Sequence, residues 1–278
     1  MVKIVYIYSM KKNVFYNLNK VIKRGIFYSF KIEIYKMFFD EKYTNTKKRK
    51  FLVSCLSVFI KTNFQQPRFI EIILKGKYKS YSQIYQDLFV LSMVKKKYKG
   101  FFVEIGAGDG IRFSNTYLLE KEYGWNGILV EPSKTFYNKC LNARKCSIVN
   151  KLVLDQNVKE VKFYEKKFGE FSHSEGFGDI LASEIESEYY IEAVKFEDLF
   201  ANFSKIPDID FLSIDTEGSE KVILSSIDFS KFKPHVICIE HNYRKENRIF
   251  YKKFLKKKGY RLIYPGISRW DSWFVINK

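Results

Sequence analysis

The sequence predicts an α/β protein built on a mostly parallel sheet, preceded by a basic, aromatic-rich extension. Three observations predict it. From Gly100 onward, apolar runs of strand length alternate with helical patterns, and parallel strands need such crossover helices. A glycine-rich loop closes the first run directly before a helix. The last two apolar runs are separated only by the loop GISRWD, which makes them an antiparallel pair at one edge.

Taken in order, residues 1–80 interleave short aromatic runs with basic clusters (KK at 11, KKRK at 47–50, KGKYK at 75–79) and read as helical. SQIYQDLFVLSMVKKKY then places Ile84, Leu88, Leu91 and Val94 at helical spacing, with Lys95–Lys97 suited to a last turn. FFVEIGA (101–107), the helix NTYLLEKEY, GILVEP (127–132), a helix led by Ser133 and CSIVNKLVL (146–154) follow as strand, helix, strand, helix, strand. VKEVKFYE alternates like an exposed antiparallel strand, and FGEFSHSEGFGD (168–179) reads as a polar loop. The alternation resumes with YIEAVKF and EDLFANF, then DFLSIDTEG (210–218) and SEKVILSSI. PHVICIEHN (234–242) follows, with a basic helix to Lys258, then YRLIYPG and SWFVINK.

The 278 residues carry 49 Lys and Arg against 31 Asp and Glu, and the imbalance is local. Residues 1–100 hold 22 basic and 5 acidic residues, whereas 101–278 hold 27 and 26. A segment so basic suits a polyanion or an anionic membrane, although Lys, Ile, Asn, Phe and Tyr also share A/T-rich codons. With 46% apolar and 29% charged residues the chain is not wholly disordered. Its longest apolar candidate, Phe51–Ile60, is half the roughly 20 residues a spanning helix needs. The N-terminus lacks the pattern of a secretory signal, so the expected location is cytoplasmic. Peripheral attachment through residues 1–80 to the inner face of a membrane is also expected. The cysteines, Cys55, Cys140, Cys146 and Cys238, form no C-x-x-C pair, which argues against a zinc ribbon or a redox dithiol.

The chemistry starts at Glu104-Ile-Gly106-Ala-Gly108-Asp109-Gly110, at the carboxyl end of the first strand, where open α/β sheets bind ligands. The spacing is G-x-G-x-G, not the dinucleotide G-x-G-x-x-G, and Asp109 would repel a pyrophosphate. A ligand with an ammonium, a sulfonium and a ribose but no phosphate fits better, and S-adenosylmethionine (SAM) has those groups. Glu104 and Asp109 would face its cationic end, and free amides near Ser114 and Asn115 its carboxylate. Glu131, 21 residues beyond Gly110 at the end of the second strand, is placed to grip ribose hydroxyls. Asn150 would either meet the adenine edge or form a turn.

FVEIGAGDGIRFSNTYLLEKEYGWNGILVEPS, IDFLSIDTEGSEKVIL, VICIEHNYRKENR and SRWDSWFV together resemble the FkbM-family SAM-dependent methyltransferases, over about Tyr81 to Lys278. The resemblance implies a class I (Rossmann-like) methyltransferase domain with a seven-stranded, mostly parallel sheet and a reversed edge hairpin. It implies methyl transfer to a hydroxyl, in many members on a sugar or glycolipid. By position, Glu104, Gly106, Gly108, Asp109, Gly110 and Glu131 would be SAM contacts, with Ser114 and Asn115 nearby. Asp215, Glu217 and Gly218 match its D-x-E-G motif. Two positions depart from it: Ser272 stands where relatives often have an acidic residue, and Tyr85 where Gly is common before Gln-Asp.

Asp215 and Glu217 close a strand at the same sheet edge as the glycine loop, so they would look into the crevice. Methyl transfer from a sulfonium needs in-line positioning and removal of a proton from a weakly acidic hydroxyl. Asp215 is one base candidate and His241, at the end of PHVICIEHN, another with the more suitable ordinary pKa. No metal is expected, although Asp215, Glu217 and Glu240 together could hold a divalent cation. His173 reads as a solvated loop residue. Arg269, Trp270, Asp271 and Trp273 would either contact a flat acceptor or bury both tryptophans. A carbohydrate or glycolipid is the expected partner. Base methylation of nucleic acid typically uses an Asp/Asn-Pro-Pro-aromatic element, which is absent; ribose methylation stays open, as does a non-catalytic module binding an anionic surface.

Overall fold

The computed structural model describes residues 69, 72–73, 79–94, 99–167, 171–177 and 182–277. Lys79–Lys278 forms one compact unit. Nearly all of residues 1–78, with Phe51–Ile60 and the membrane contact expected of that region, lie outside the described residues, as do Lys95–Lys97. Among the described residues no helix is long and apolar enough to cross a membrane.

The predicted sheet is present. It is formed by β1 (Phe101–Ile105), β2 (Asn126–Val130), β3 (Ser147–Val149), β8 (Phe211–Ile214), β9 (Val236–Glu240), β10 (Tyr260–Ile263) and β11 (Asp271–Ile276). The spatial order is β10-β11-β9-β8-β1-β2-β3. β3, β2, β1, β8 and β9 run parallel, and β11 lies antiparallel to both β9 and β10. β1, β8 and β9 are buried at every position, because elements cover both faces of a crossover-built sheet. The helices are α1 (Gln86–Met93), α2 (Tyr117–Tyr123), α3 (Lys134–Ala143), α4 (Glu220–Ser226) and α5 (Lys245–Lys257). Ser133 caps α3 as the sequence suggests, its side chain accepting from the Phe136 amide.

Three expectations change. CSIVNKLVL is not one strand: β3 ends at Val149, and β4 (Leu152–Leu154) belongs to a second sheet, in which it is followed by β7 (Ile185–Lys195), β5 (Val158–Lys166) and β6 (His173–Ser174). The break sits at Asn150, whose Nδ2 donates to the carbonyls of Glu131 (2.8 Å) and Pro132 (3.0 Å) and so turns the chain away from the first sheet. β5 is antiparallel as the alternation of VKEVKFYE predicts, and its partner is β7. The polar stretch around 173, read as a loop, instead contributes β6 (His173–Ser174), paired with Phe163 and Tyr164. EDLFANF forms a 3-10 turn over Phe196–Phe200, whose Phe196 and Phe200 pack on Phe232 at 5.2 and 5.1 Å between ring centroids.

α1 begins two residues later than its apolar spacing suggests, because Tyr85 holds φ at 67°, in the left-handed region that favours glycine. Tyr85 therefore holds a backbone that glycine would adopt easily, at a cost of about 1 kcal/mol. Ahead of it, buried Asp87 gathers the chain: its carboxylate accepts from Ser80 Oγ (2.7 Å), Ser82 Oγ (2.8 Å) and the amides of Tyr81 (2.9 Å) and Leu88 (2.8 Å). Asp87→Ala removes the buried acceptor that these four donors share and is expected to lower stability by about 3 kcal/mol. Denaturant titration checks this, and an unchanged midpoint would contradict it.

Candidate functional site

A cavity of about 470 Å³ opens at the carboxyl ends of β1, β2, β8 and β9, the size and place at which open α/β sheets take small ligands. Both sheets line it. The first sheet supplies the loops after its strands; the second supplies Phe163, Phe171, Ser172, His173 and Ser174. Gln83 and Gln86 line it from the segment that leads into α1.

The glycine loop turns here because its residues are made to. Gly106 has φ 85°, and a Cβ built on it would overlap the Asp215 carbonyl, so only glycine lets the β1 and β8 ends approach. Gly108 (φ 57°) has open space on its Cβ side and lines the cavity. Gly110 does not line it; a Cβ there would meet Cys140 Sγ at 3.0 Å, so its role is packing on α3. Asp109 lines the cavity while accepting from the amides of Ile111 (2.8 Å) and Arg112 (2.7 Å), which fixes the turn.

Glu104 is the anchor of the loop. Its carboxylate accepts from the Asn115 amide (2.6 Å), Ser114 Oγ (3.0 Å) and Thr116 Oγ1. Arg144, its side chain fully buried, lies 4.0 Å away and donates to Glu120 (2.7 Å) and the Gly110 carbonyl (3.0 Å). Burial pushes Glu104 above the ordinary carboxylate range, and Arg144 opposes the shift. This corrects one expectation: the Asn115 amide is not free for a ligand carboxylate, because Glu104 takes it, and the Ser114 amide donates to the Ile111 carbonyl (3.4 Å). What Asn115 does offer the cavity wall is a buried Oδ1 with no hydrogen-bond partner, its Nδ2 being held by Ser213 Oγ at 2.9 Å.

Glu131 stands where the sequence placed it. One oxygen accepts from the Gly108 amide (2.7 Å) and the other from Ser133 (2.8 Å), which locks the carboxylate against the cavity. Burial lifts it to about 8, with Glu165 and Glu104 adding to the shift and the two amides resisting it. Asn150 does not line the cavity; Lys151, Leu152 and Val153 do, so the turn reading is the one realised.

Beside the glycine loop, at the ends of β8 and β9, an acidic cluster forms. Asp215, Glu217 and Glu240 each bring a carboxylate oxygen to within 4.8 Å of the others, and all three line the cavity. Glu217 reaches in from a left-handed residue (φ 56°), in a turn whose Thr216 and Gly218 amides both donate to Glu220 at 2.9 Å. Asp215 and Glu240 lie with carboxylate oxygens within 4.8 Å of each other, and two buried like charges so close favour holding a proton. Burial first, then Asp271 and Glu217, pushes Asp215 well up; burial and Asp215 do the same to Glu240. Burial and Glu220 raise Glu217 to about 7. The same three oxygens are a donor set that a hard divalent cation accepts.

The two histidines exchange roles relative to expectation. His241 is 3% exposed and does not line the cavity, and neither ring nitrogen has a hydrogen-bond partner. The backbone explains this: the His241 and Asn242 amides both donate to the Trp270 carbonyl (2.7 and 3.0 Å), which puts Asn242 and Tyr243 on the wall and leaves the His241 ring buried. His173, read as solvated, is 2% exposed and lines the cavity from β6, its Nδ1 3.2 Å from the Ser174 carbonyl. Only the formation of β6 reveals it; no local spacing in a polar stretch signals a two-residue strand. The tryptophans divide as well. Trp270 lines the cavity with Tyr243 at 6.2 Å, whereas Trp273 is fully buried, stacked on Phe89 at 4.6 Å. Asp271 is buried too, accepting from Gln86 Nε2 (2.9 Å) and Trp273 Nε1 (3.2 Å).

Comparison with known proteins returns one family match: a methyltransferase FkbM domain over residues 104–262. Among solved structures, methyltransferase FkbM from Methylobacillus flagellatus KT is similar at 14% identity and a TM-score of 0.47, covering 83% of this chain and 55% of its own. A precorrin-6y C5,15-methyltransferase from Geobacter metallireducens GS-15 is similar at 13% identity (TM-score 0.35; 68% and 80% covered). So is a putative RNA methyltransferase from Pyrococcus horikoshii, also at 13% (TM-score 0.34; 79% and 83% covered). The chain spans about half the length of the first of these, and such identities speak to fold alone. No curated protein matches.

Proposed function

The chain belongs to the FkbM methyltransferase family, and from that premise we propose that it moves a methyl group from SAM to a hydroxyl of a carbohydrate or glycolipid. The observation that carries the reading is the convergence of Asp215, Glu217 and Glu240 on the wall of the same cavity that Glu131 and the glycine loop line.

The residues present suit SAM. Glu131 holds two acceptor oxygens for ribose hydroxyls, Gly108 leaves open space, and Val130, Leu152, Val153 and Phe163 offer an apolar wall to a flat base. Asp109 and the unpartnered Asn115 Oδ1 suit a cationic, hydrogen-bond-donating end. When bound, SAM supplies an electrophilic methyl group. The chain's part is to hold the acceptor and receive its proton. Glu217, raised to about 7, is matched to that task near neutral pH. Asp215 and Glu240, sharing a proton, can accept from and donate to the same hydroxyl. Trp270 and Tyr243 present aromatic rings to a sugar face. Since His241 lies off the wall, the acidic cluster takes the base role that the sequence divided between Asp215 and His241.

The test incubates the protein with methyl-labelled SAM and separated glycan, lipid and RNA pools. Label is expected in the glycan or lipid pool, lost in Asp215→Asn and Glu217→Gln proteins that still bind SAM. Label found only in RNA would overturn the acceptor, and full transfer by both variants would overturn the base.

A further inference from the structure

We propose that the exposed face of α5 is a docking surface for an anionic phospholipid bilayer. The near-neutral balance of residues 101–278 conceals it. Residues 244–258 hold eight basic residues and one acidic, a net +7 out of a total +1, which leaves −6 for the remainder. The fold gathers that charge on one side. Tyr251 and Leu255 anchor α5 to the core, and Lys245, Lys252, Lys253, Lys256 and Lys257 project outward, all exposed. Among the described residues none of these five lysines forms an ion pair. Arg248 and Lys258 are less available: Arg248 donates to the Pro265 carbonyl at 2.8 Å, and Lys258 lies over the Phe229 and Phe254 rings.

Two features favour a bilayer over nucleic acid. Ile249, 45% exposed, sits within the lysine face, and Tyr243, 68% exposed, lies just before the helix. Apolar and aromatic side chains interleaved with lysines enter a lipid headgroup layer favourably but gain nothing against a phosphodiester backbone. The outward cations along the helix itself are lysines, point charges without the fork by which arginine reads bases, and Arg244 stands at its N-cap. Tyr243 lines the cavity as well, so a bilayer lying along α5 is beside the cavity mouth. This surface is independent of which hydroxyl the site methylates.

Residues 1–100, at a net +17, can bind vesicles too, so the readout must be local to α5. The full chain and its Lys252→Glu/Lys253→Glu/Lys256→Glu variant are sedimented at low salt with phosphatidylcholine vesicles, with and without phosphatidylglycerol. The variant is expected to bind the anionic vesicles about tenfold less or weaker still, at an unchanged melting temperature. An Ile249→Trp protein is expected to show fluorescence quenching by brominated lipid beyond that of the parent. Equal binding by the charge-reversed variant, absence of that added quenching, or preference for a single-stranded RNA over the vesicles would each overturn the proposal.

Discussion

Gly106→Ala is expected to abolish SAM binding and to lower stability by about 3 kcal/mol or more. The added methyl group meets the Asp215 backbone carbonyl, not the end of a mobile side chain, so relief requires β1 and β8 to part. The positive φ adds strain of its own. Gly108→Ala is the control: it shares a positive φ, but its Cβ would enter empty space on the cavity side. That variant should fold with a loss of about 1 kcal/mol and lose SAM affinity because the methyl group occupies ligand space. Denaturation and titration calorimetry on the pair separate the two effects. A Gly106→Ala protein that melts and binds like the parent would refute the joint between the two strand ends.

Glu131→Gln is expected to weaken SAM binding about a hundredfold, since two hydrogen bonds to a charged acceptor are worth together roughly 3 kcal/mol. The variant should also change the pH dependence. Ribose hydroxyls donate to the ionised carboxylate, so binding favours loss of the Glu131 proton, and a folded-state value of about 8 means that proton is present at pH 7. Affinity should therefore rise from pH 7 to 8 and level off above, with protons released on binding. The α-ammonium of SAM titrates in the same interval. The decisive quantity is thus the difference between parent and variant in calorimetry across buffers. If the two release protons equally, Glu131 does not grip the ribose.

How much could be read beforehand depended on whether the deciding contact was local. The G-x-G-x-G loop, Glu131 and the D-x-E-G turn are short-range patterns, each closing a strand at one sheet edge, and the structure gathers their residues around one cavity. The edge hairpin followed from the length of a loop. By contrast, the role of Gly110 rests on Cys140, thirty positions along the chain, and that of Asn115 on Glu104 and Ser213. Asn150 showed an amide that either reading could use, and only the nearness of the Glu131 and Pro132 carbonyls decides. The places of His241 and His173 are beyond local reading for the same cause: the direction of a ring depends on which amides bond across strands, as at Trp270, and on a two-residue strand that composition does not announce.

The turn at Asn150 has a wider consequence. Beyond it, from Lys151 to Lys195, lie all four strands of the second sheet and the wall that carries Phe163, Phe171 and His173, while the glycine loop and Glu131 come before it. One wall of the cavity is thus written as a single uninterrupted stretch of chain, bounded at its start by the Asn150 turn. Exchange of that one stretch would rebuild the wall made by Leu152, Val153, Phe163 and His173 and leave the glycine loop, Glu131 and the acidic cluster in place on the first sheet.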